Sequence, residues 1–233
     1  MTRFLGGRRR LKAESWRRAG VGRSLGASAT AVALLAGCSS GNGEPPAPER
    51  TAAAEVCRGF AKEPAATAAL KAVMGADHFE EMLFDPDKAL EGLRDAIRVG
   101  QEDPTRLDGY VYCGLRPADP DKPRFKIVVQ GVAGWPERDA RLAGKTTWYR
   151  SGVQASATVV HGEVYFTCHL KPPAKGIVIQ TDARAPAGLD YSNLRRRTEL
   201  ITLANAAARH ISKELGCLDD KLAPGVPAEA PGS

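Results

Sequence analysis

The sequence contains no H-E-x-x-H, no G-x-S-x-G, no G-x-x-x-x-G-K-[ST] and no G-x-G-x-x-G. Those absences argue against the zinc-peptidase, nucleophile-elbow, P-loop and dinucleotide-binding chemistries that the motifs carry. No two cysteines stand in the close-pair spacing of a structural zinc site, because Cys38, Cys57, Cys113, Cys168 and Cys217 lie far apart. No metal and no cofactor are expected. No apolar run reaches the roughly 20 residues of a membrane-crossing helix; the best candidate, within residues 24–37, is too short. The body of the chain also lacks excess positive charge. The total is +6, yet Arg3, Arg8, Arg9, Arg10, Lys12, Arg17, Arg18 and Arg23, against the single acid Glu14, all fall in residues 1–37. The remainder holds 25 bases and 26 acids. It has no electrostatic footprint for a phosphate backbone, so nucleic acid is not an expected partner.

What is present begins with that basic stretch, followed by an uncharged segment with Ala31-Val32-Ala33-Leu34-Leu35 at its centre. A basic region and a short apolar region are the layout of an export signal. The segment ends in Leu35-Ala36-Gly37-Cys38. This resembles the lipobox of bacterial lipoproteins, which implies cleavage before Cys38 and a lipid on its thiol. Arg8-Arg9-Arg10-Leu11-Lys12 resembles a twin-arginine signal but lies far from the apolar run, while Arg17-Arg18 is nearer with poorer flanks, so the export route stays open. Residues 1–37 are therefore expected to be a signal peptide. Residues 38–50, rich in Ser, Gly and Pro, are expected to be a flexible tether. Residues 51–221 should form the folded domain, and residues 222–233 a disordered tail.

With Cys38 lipidated, four cysteines remain, an even number in an extracytoplasmic setting, which implies disulfides. Period-two alternation puts Val111, Cys113 and Leu115 on one strand face and Val164, Phe166, Cys168 and Leu170 on another. That favours Cys113–Cys168, and leaves Cys57–Cys217 to tie the ends of the domain.

Thr51 can cap a helix over residues 52–62, Pro64 suits the start of a second that Gly75 ends, and Asp85-Pro86 starts a third with Leu90, Leu93 and Ile97 as its stripe. Candidate strands cover residues 109–115, 124–132, 152–160, 163–170 and 175–181, with His161-Gly162 as a two-residue hairpin turn. That register sets Ala155 across from Cys168. A last helix runs over residues 192–215, its polar side (Arg196, Glu199, Asn205, Arg209, Lys213) read as solvated. The expected fold is α+β, a single domain with an antiparallel sheet of about five strands and the N- and C-terminal helices packed on one face.

The body resembles small actinobacterial cell-surface lipoproteins. Three features carry the resemblance: Glu55-Val56-Cys57-Arg58-Gly59-Phe60 early on, a mid-chain pair of Cys-containing strands, and a closing Leu215-Gly216-Cys217. It implies location and disulfides, not a reaction, and it carries over no catalytic residue. The expected role is a binding or accessory protein of the cell envelope, at the outer face of the plasma membrane. Its expected partners are the membrane, through the lipid, and an envelope protein or ligand. Tyr110, Tyr112, Tyr165 and Trp148 are the candidate binding surface, an aromatic patch on the outer sheet face. The alternative is an envelope hydrolase using the polar cluster Asp77, His78 and Glu80, which would need a third polar group converging on it. Of the other histidines, His161 is read as solvated in its turn, His169 as pointing away from the Cys168 face, and His210 as favoured near a helix C-terminus.

Overall fold

The computed structural model describes residues 49–82, 85–99, 109–119, 124–142, 144–171, 176–186 and 192–231. Residues 1–37, Cys38 and nearly all of the 38–50 segment lie outside the described residues. The chain from Pro46 onward forms one unit.

Its core is a single antiparallel sheet of eight strands, not about five. In chain order the elements are β1 (Thr51–Ala52), α1 (Val56–Gly59), α2 (Pro64–Met74), β2 (His78–Glu81), α3 (Pro86–Val99), β3 (Tyr110–Pro117), β4 (Phe125–Val132), β5 (Thr147–Tyr149), β6 (Gln154–Ala157), β7 (His161–Cys168), β8 (Ile177–Arg184) and α4 (Leu194–Leu215). The strand order is β1-β2-β3-β4-β8-β7-β6-β5. Two antiparallel runs, β1 to β4 and β5 to β8, thus meet where their last strands pair, Lys126 to Val132 against Arg184 to Val178. The three strands that the alternation pattern missed, the edge strands β1 and β5 and their short neighbour β2, are too brief for a period-two signal.

The helices start and stop where the local chemistry says. Pro64 opens α2, and Gly75 closes it in the left-handed region at φ 63°. The Asp85 carboxylate accepts from the Lys88 amide at 2.9 Å, capping α3. The Asn193 side chain accepts from the Arg196 amide at 3.0 Å, and Gly216 ends α4 at φ 76°. The first helix is the exception. Thr51–Ala52 pairs with β2 instead of capping anything, and Cys57, Arg58 and Gly59 are all left-handed, with φ of 46°, 65° and 74°. A left-handed conformation costs an L-residue about 1–2 kcal/mol, so this turn is imposed by tertiary contacts rather than by local preference.

The disulfides supply one of those contacts, and they correct the expected pairing. Cys57 bonds Cys113 with a Cα separation of 5.6 Å, and Cys168 bonds Cys217 at 4.8 Å. Cys113 on β3 and Cys168 on β7 share a sheet face, but β4 and β8 lie between their strands. Three strand spacings are about 14 Å, twice the reach of a disulfide. Chain-entropy arguments give each observed bridge about 4 kcal/mol for sequence separations of 56 and 49 residues.

Helix α4 packs on β7, β8 and β6, and α2 packs on α4 in turn. The approach to the sheet is close. A Cβ on Gly162 would come within 2.4 Å of the Leu200 carbonyl oxygen, and the Thr181 hydroxyl donates to the Ala204 carbonyl at 3.2 Å. Being sandwiched, α4 has little solvated side. Asn205 is fully buried and Arg196 nearly so, against the expectation for both. The Arg196 guanidinium donates to the Val73 carbonyl at 2.7 Å, and Arg209 pairs with Glu63. Asn205 donates to the carbonyls of Ala223 and Gly225, both at 2.9 Å. The Arg150 amide donates to Ala228, and the Ala230 amide to Trp148. The C-terminal segment 222–231 is therefore pinned to the domain rather than forming a free tail.

Two expected outcomes test this fold. Proteolysis without reduction should release Cys57 peptides linked to Cys113 peptides, and Cys168 linked to Cys217; a Cys113–Cys168 peptide in the mass spectrum would refute the strand order. Gly162→Ala should lower unfolding free energy by about 1–3 kcal/mol through overpacking against backbone. Gly134→Ala, with nothing within 4 Å of the added Cβ, should stay within about 0.5 kcal/mol in the same denaturant titration.

Candidate functional site

The four candidate aromatic residues do not form one surface. Tyr110 and Tyr112 turn toward the helices because β3 changes register between Val111 and Cys113. A bulge adds one residue to one strand and breaks the simple alternation. Tyr110 crowds Gly92 of α3. Tyr112 is completely buried, its ring 6.2 Å from that of His210 on α4, and burial pushes its phenol up to about 12. Tyr165 lies on β7 with Trp148 two strands away on β5. The Arg138 guanidinium stacks on the Trp148 ring at 4.7 Å.

The polar cluster on β2 is spent on structure. Asp77 pairs with Lys71 at 2.8 Å, which holds its carboxyl below the usual range. Glu80 takes three bonds from the Arg116 guanidinium, its cross-strand partner, and His78 is exposed. The polar groups that meet this cluster are Lys71 and Arg116, each through an ion pair to one carboxylate.

A different set of groups does converge, on the sheet face opposite α4. Register defines it. Thr181, Ala183 and Gly162 face the helix, so their neighbours Gln180, Asp182, Arg184, His161, Glu163 and Tyr165 face the other way. Across the strands these groups stand in rows. Lys126, Arg184 and His161 form the first, the apolar Val128 with Asp182, Glu163 and Ser156 the second, and Gln130, Gln180, Tyr165 and Gln154 the third. The groups are wired together. Asp182, whose side chain is 5% exposed, meets His161 Nδ1 at 3.1 Å through one oxygen and the Arg184 Nε at 2.5 Å through the other. The Gln130 amide donates to Gln180 at 2.6 Å, and the Gln180 amide donates to Glu163 at 3.0 Å. Residues following β4 reach over one end, where the Gln154 amide donates to the Pro136 carbonyl at 3.0 Å.

Asp182 and Glu163 sit directly opposite each other, a cross-strand placement that disfavours two charges. Burial first, and the Asp182 carboxylate second, raise Glu163 above the ordinary carboxylate range. The hydrogen bond to Asp182 raises His161. A carboxyl raised by burial beside one that is paired to cations is a layout also found in acid–base pairs. Here, however, both Asp182 oxygens and one Glu163 oxygen are already engaged, and the arrangement holds side chains in place rather than leaving a base free. The sequence reading missed this site because it put His161 in a hairpin turn. The connection is in fact Thr158-Val159-Val160, whose Thr158 hydroxyl accepts from the amides of Val160 and His161. His161 therefore starts β7, and Ala155 faces Val164 rather than Cys168. A slip of four residues, being even, keeps every side chain on its expected face and so left no trace in the alternation.

A second polar feature is a groove of about 540 Å³ between the left-handed turn and the end of α4. Arg58, Lys62, Arg209 and Lys213 face Glu63, Glu214 and Asp220 across it. Within the groove Arg209 pairs with Glu63, while Arg58 pairs with Asp87 outside its lining. The buried His210 Nε2 and Tyr112 hydroxyl have no hydrogen-bond partner among the described residues.

Comparison with protein-family models, with curated proteins and with solved structures finds no match to this chain. The two disulfides indicate an oxidising, extracytoplasmic location. Among the described residues no helix is long and apolar enough to cross a membrane, and no group of three or more His, Cys, Asp and Glu stands ready to hold a metal ion.

The pH dependence of stability should report the network. Glu163, raised above its ordinary 4.5, contributes stability that is complete below that value and is lost as pH rises through its folded pKa. Glu163→Gln should therefore raise Tm at pH 7 and lose that advantage at pH 4. His161, raised above 6.5, contributes stability below that value which fades as pH climbs past its folded pKa, so His161→Gln should lower Tm at pH 5.5 and leave it unchanged at pH 9.

Proposed function

We propose that this chain is an extracytoplasmic protein of the cell envelope, held at the outer face of the plasma membrane by a lipid on Cys38, which binds an envelope partner or ligand through the helix-free sheet face. The observation that carries the reading is the cross-strand network of His161, Glu163, Asp182, Arg184, Gln130 and Gln180. Six polar side chains locked by one another on a sheet face gain little for the fold, since net hydrogen-bond contributions are about 1 kcal/mol each and two carboxyl groups lose solvation. They do gain preorganisation, because a partner meeting them has no rotamer entropy left to remove.

The basic segment, the short apolar run and Leu35-Ala36-Gly37-Cys38 support the anchor. The disulfides fit the compartment such an anchor implies. Binding is favoured over hydrolysis by the engagement of both Asp182 oxygens, and by the structural pairing of Asp77 and Glu80. A groups-in-place surface without an open base recognises rather than transforms.

Two measurements test the reading together. The intact mass of the protein from membranes should correspond to a chain starting at Cys38, with lipid attached, that takes up four alkyl groups only after reduction. A photo-reactive amino acid at Gln154 should then yield an envelope adduct on living cells, and the same group at the exposed Lys88 of α3 should not. Adducts at both positions, or at Lys88 alone, would sink the assignment of the face.

A further inference from the structure

We propose that this chain forms a reciprocal dimer by exchanging residues 222–230, each copy's segment lying along the other copy's β5 in place of its own.

The segment is held as a separable strap. Just past α4 the chain is pinned at Cys217 by the bridge to Cys168, and at Leu218, whose amide donates to the His169 carbonyl at 2.8 Å. It then turns and makes a second, independent set of contacts. Asn205 and Ser151, both buried, hold its start. The Asn205 amide donates to the carbonyls of Ala223 and Gly225, and the Ala223 amide donates to the Ser151 hydroxyl at 3.1 Å. Pro227 is buried. Further on, the Arg150 amide donates to the Ala228 carbonyl and the Ala230 amide to the Trp148 carbonyl, both at 2.8 Å, with Tyr149 opposite Glu229. Strand β5 is the last in the sheet, so the strap satisfies backbone groups that an edge strand otherwise leaves open to another chain.

The occupant of that edge is thereby defined by the chain itself. The same segment from a second copy makes the same bonds, so exchange changes only the hinge and the entropy of association. A foreign strand would have to match the Asn205 and Ser151 clamp anew.

The hinge is where the closed form is at a disadvantage. Asp219 and Lys221 join the pin to the strap with φ of 55° and 56°, the left-handed region that side chains seldom adopt. Lys221 also lacks the short polar side chain that eases such a turn. The other left-handed pair without glycine, Cys57 and Arg58, is locked by its disulfide. Asp219 and Lys221 are exposed, between two anchored stretches. Only three residues separate Leu218 from Leu222, and short hinges under strain favour exchange. In the dimer the hinge runs extended and both residues return to ordinary conformations. Pro224 and Pro227 stiffen the strap, which then moves as one piece.

The test incubates the chain from residue 46 onward, the unit that contains every named residue, at millimolar concentration just below its unfolding midpoint. Light scattering after size-exclusion chromatography then gives the mass. Half of the copies carry nitrogen-15, and a benzophenone amino acid replaces the exposed Val226, which shares a groove with Ala65 and Ala72 of α2. The expected result is a dimer in which photo-links from position 226 to α2 join labelled to unlabelled peptides, whereas links in the monomer join like with like. Lys221→Gly, which relieves the closed turn, should cut the dimer fraction at least fivefold. Lys221→Pro, whose ring fixes φ at about −65° and bars the closed turn, should raise it. Circular dichroism checks the fold of each variant; if Lys221→Pro does not fold, the wild type and Lys221→Gly decide. A wild-type chain that stays monomeric overturns the proposal. So does a dimer whose links all join like with like, since that is association between closed copies. An undiminished dimer in Lys221→Gly overturns the hinge as its cause.

Discussion

The pairing of β4 with β8 is the contact on which the rest of the structure depends. These are the last strands of two antiparallel runs, and their ladder from Lys126–Arg184 to Val132–Val178 makes one sheet of the two. It puts β8 at the centre, between β4 and β7. Because β8 is central, α4 can lie along it and reach the flanking β7, with the Thr181 hydroxyl on the Ala204 carbonyl and Gly162 beneath Leu200. Because β8 is central, its outward residues Gln180 and Arg184 have polar neighbours on both sides. A hydrogen-bonded chain can then extend from Gln130 on β4 to Glu163 on β7.

The same pairing decides where the disulfides go. It separates Cys113 from Cys168, so each cysteine finds a partner outside the sheet: Cys57 in the left-handed turn and Cys217 just past α4. One bridge clamps the start of the domain to β3. The other clamps the end of α4 to β7, where the Leu218 amide also donates to the His169 carbonyl. The strained turn at Cys57 and Arg58 persists because the surrounding contacts over-determine it. The segment beyond α4 then returns over β5, tied by Asn205 to the carbonyls of Ala223 and Gly225.

The face proposed for binding follows from the same asymmetry. One face of the sheet meets α3 and α4 and is apolar, with Ile127, Val129, Val164, Phe166 and Ile179 fully buried. The opposite face has no helix against it among the described residues. There the alternate positions need not be apolar, and they hold a carboxylate pair, two amides and a histidine. Local rules would not place Asp182 across from Glu163. Departures of that kind gather at sites kept for recognition or chemistry, which is why the network, rather than the groove at the end of α4, carries the functional reading.

The sequence by itself determined the helices α2, α3 and α4, because proline, asparagine or aspartate and glycine act within one turn of chain and need no distant partner. It determined the faces of β4, β7 and β8, because a period of two survives any even slip in register. It also singled out Cys57, Cys113, Cys168 and Cys217 as the disulfide cysteines, and all four are bridged. Only the tertiary structure decided which cysteine meets which, because that depends on strand order, and alternation carries no information about order. Only the tertiary structure decided that Tyr112 turns inward, since a bulge changes phase without a mark in composition. The same holds for His161. As a turn residue it would be solvated and inert; one element later, beside a buried aspartate on a neighbouring strand, it belongs to the site.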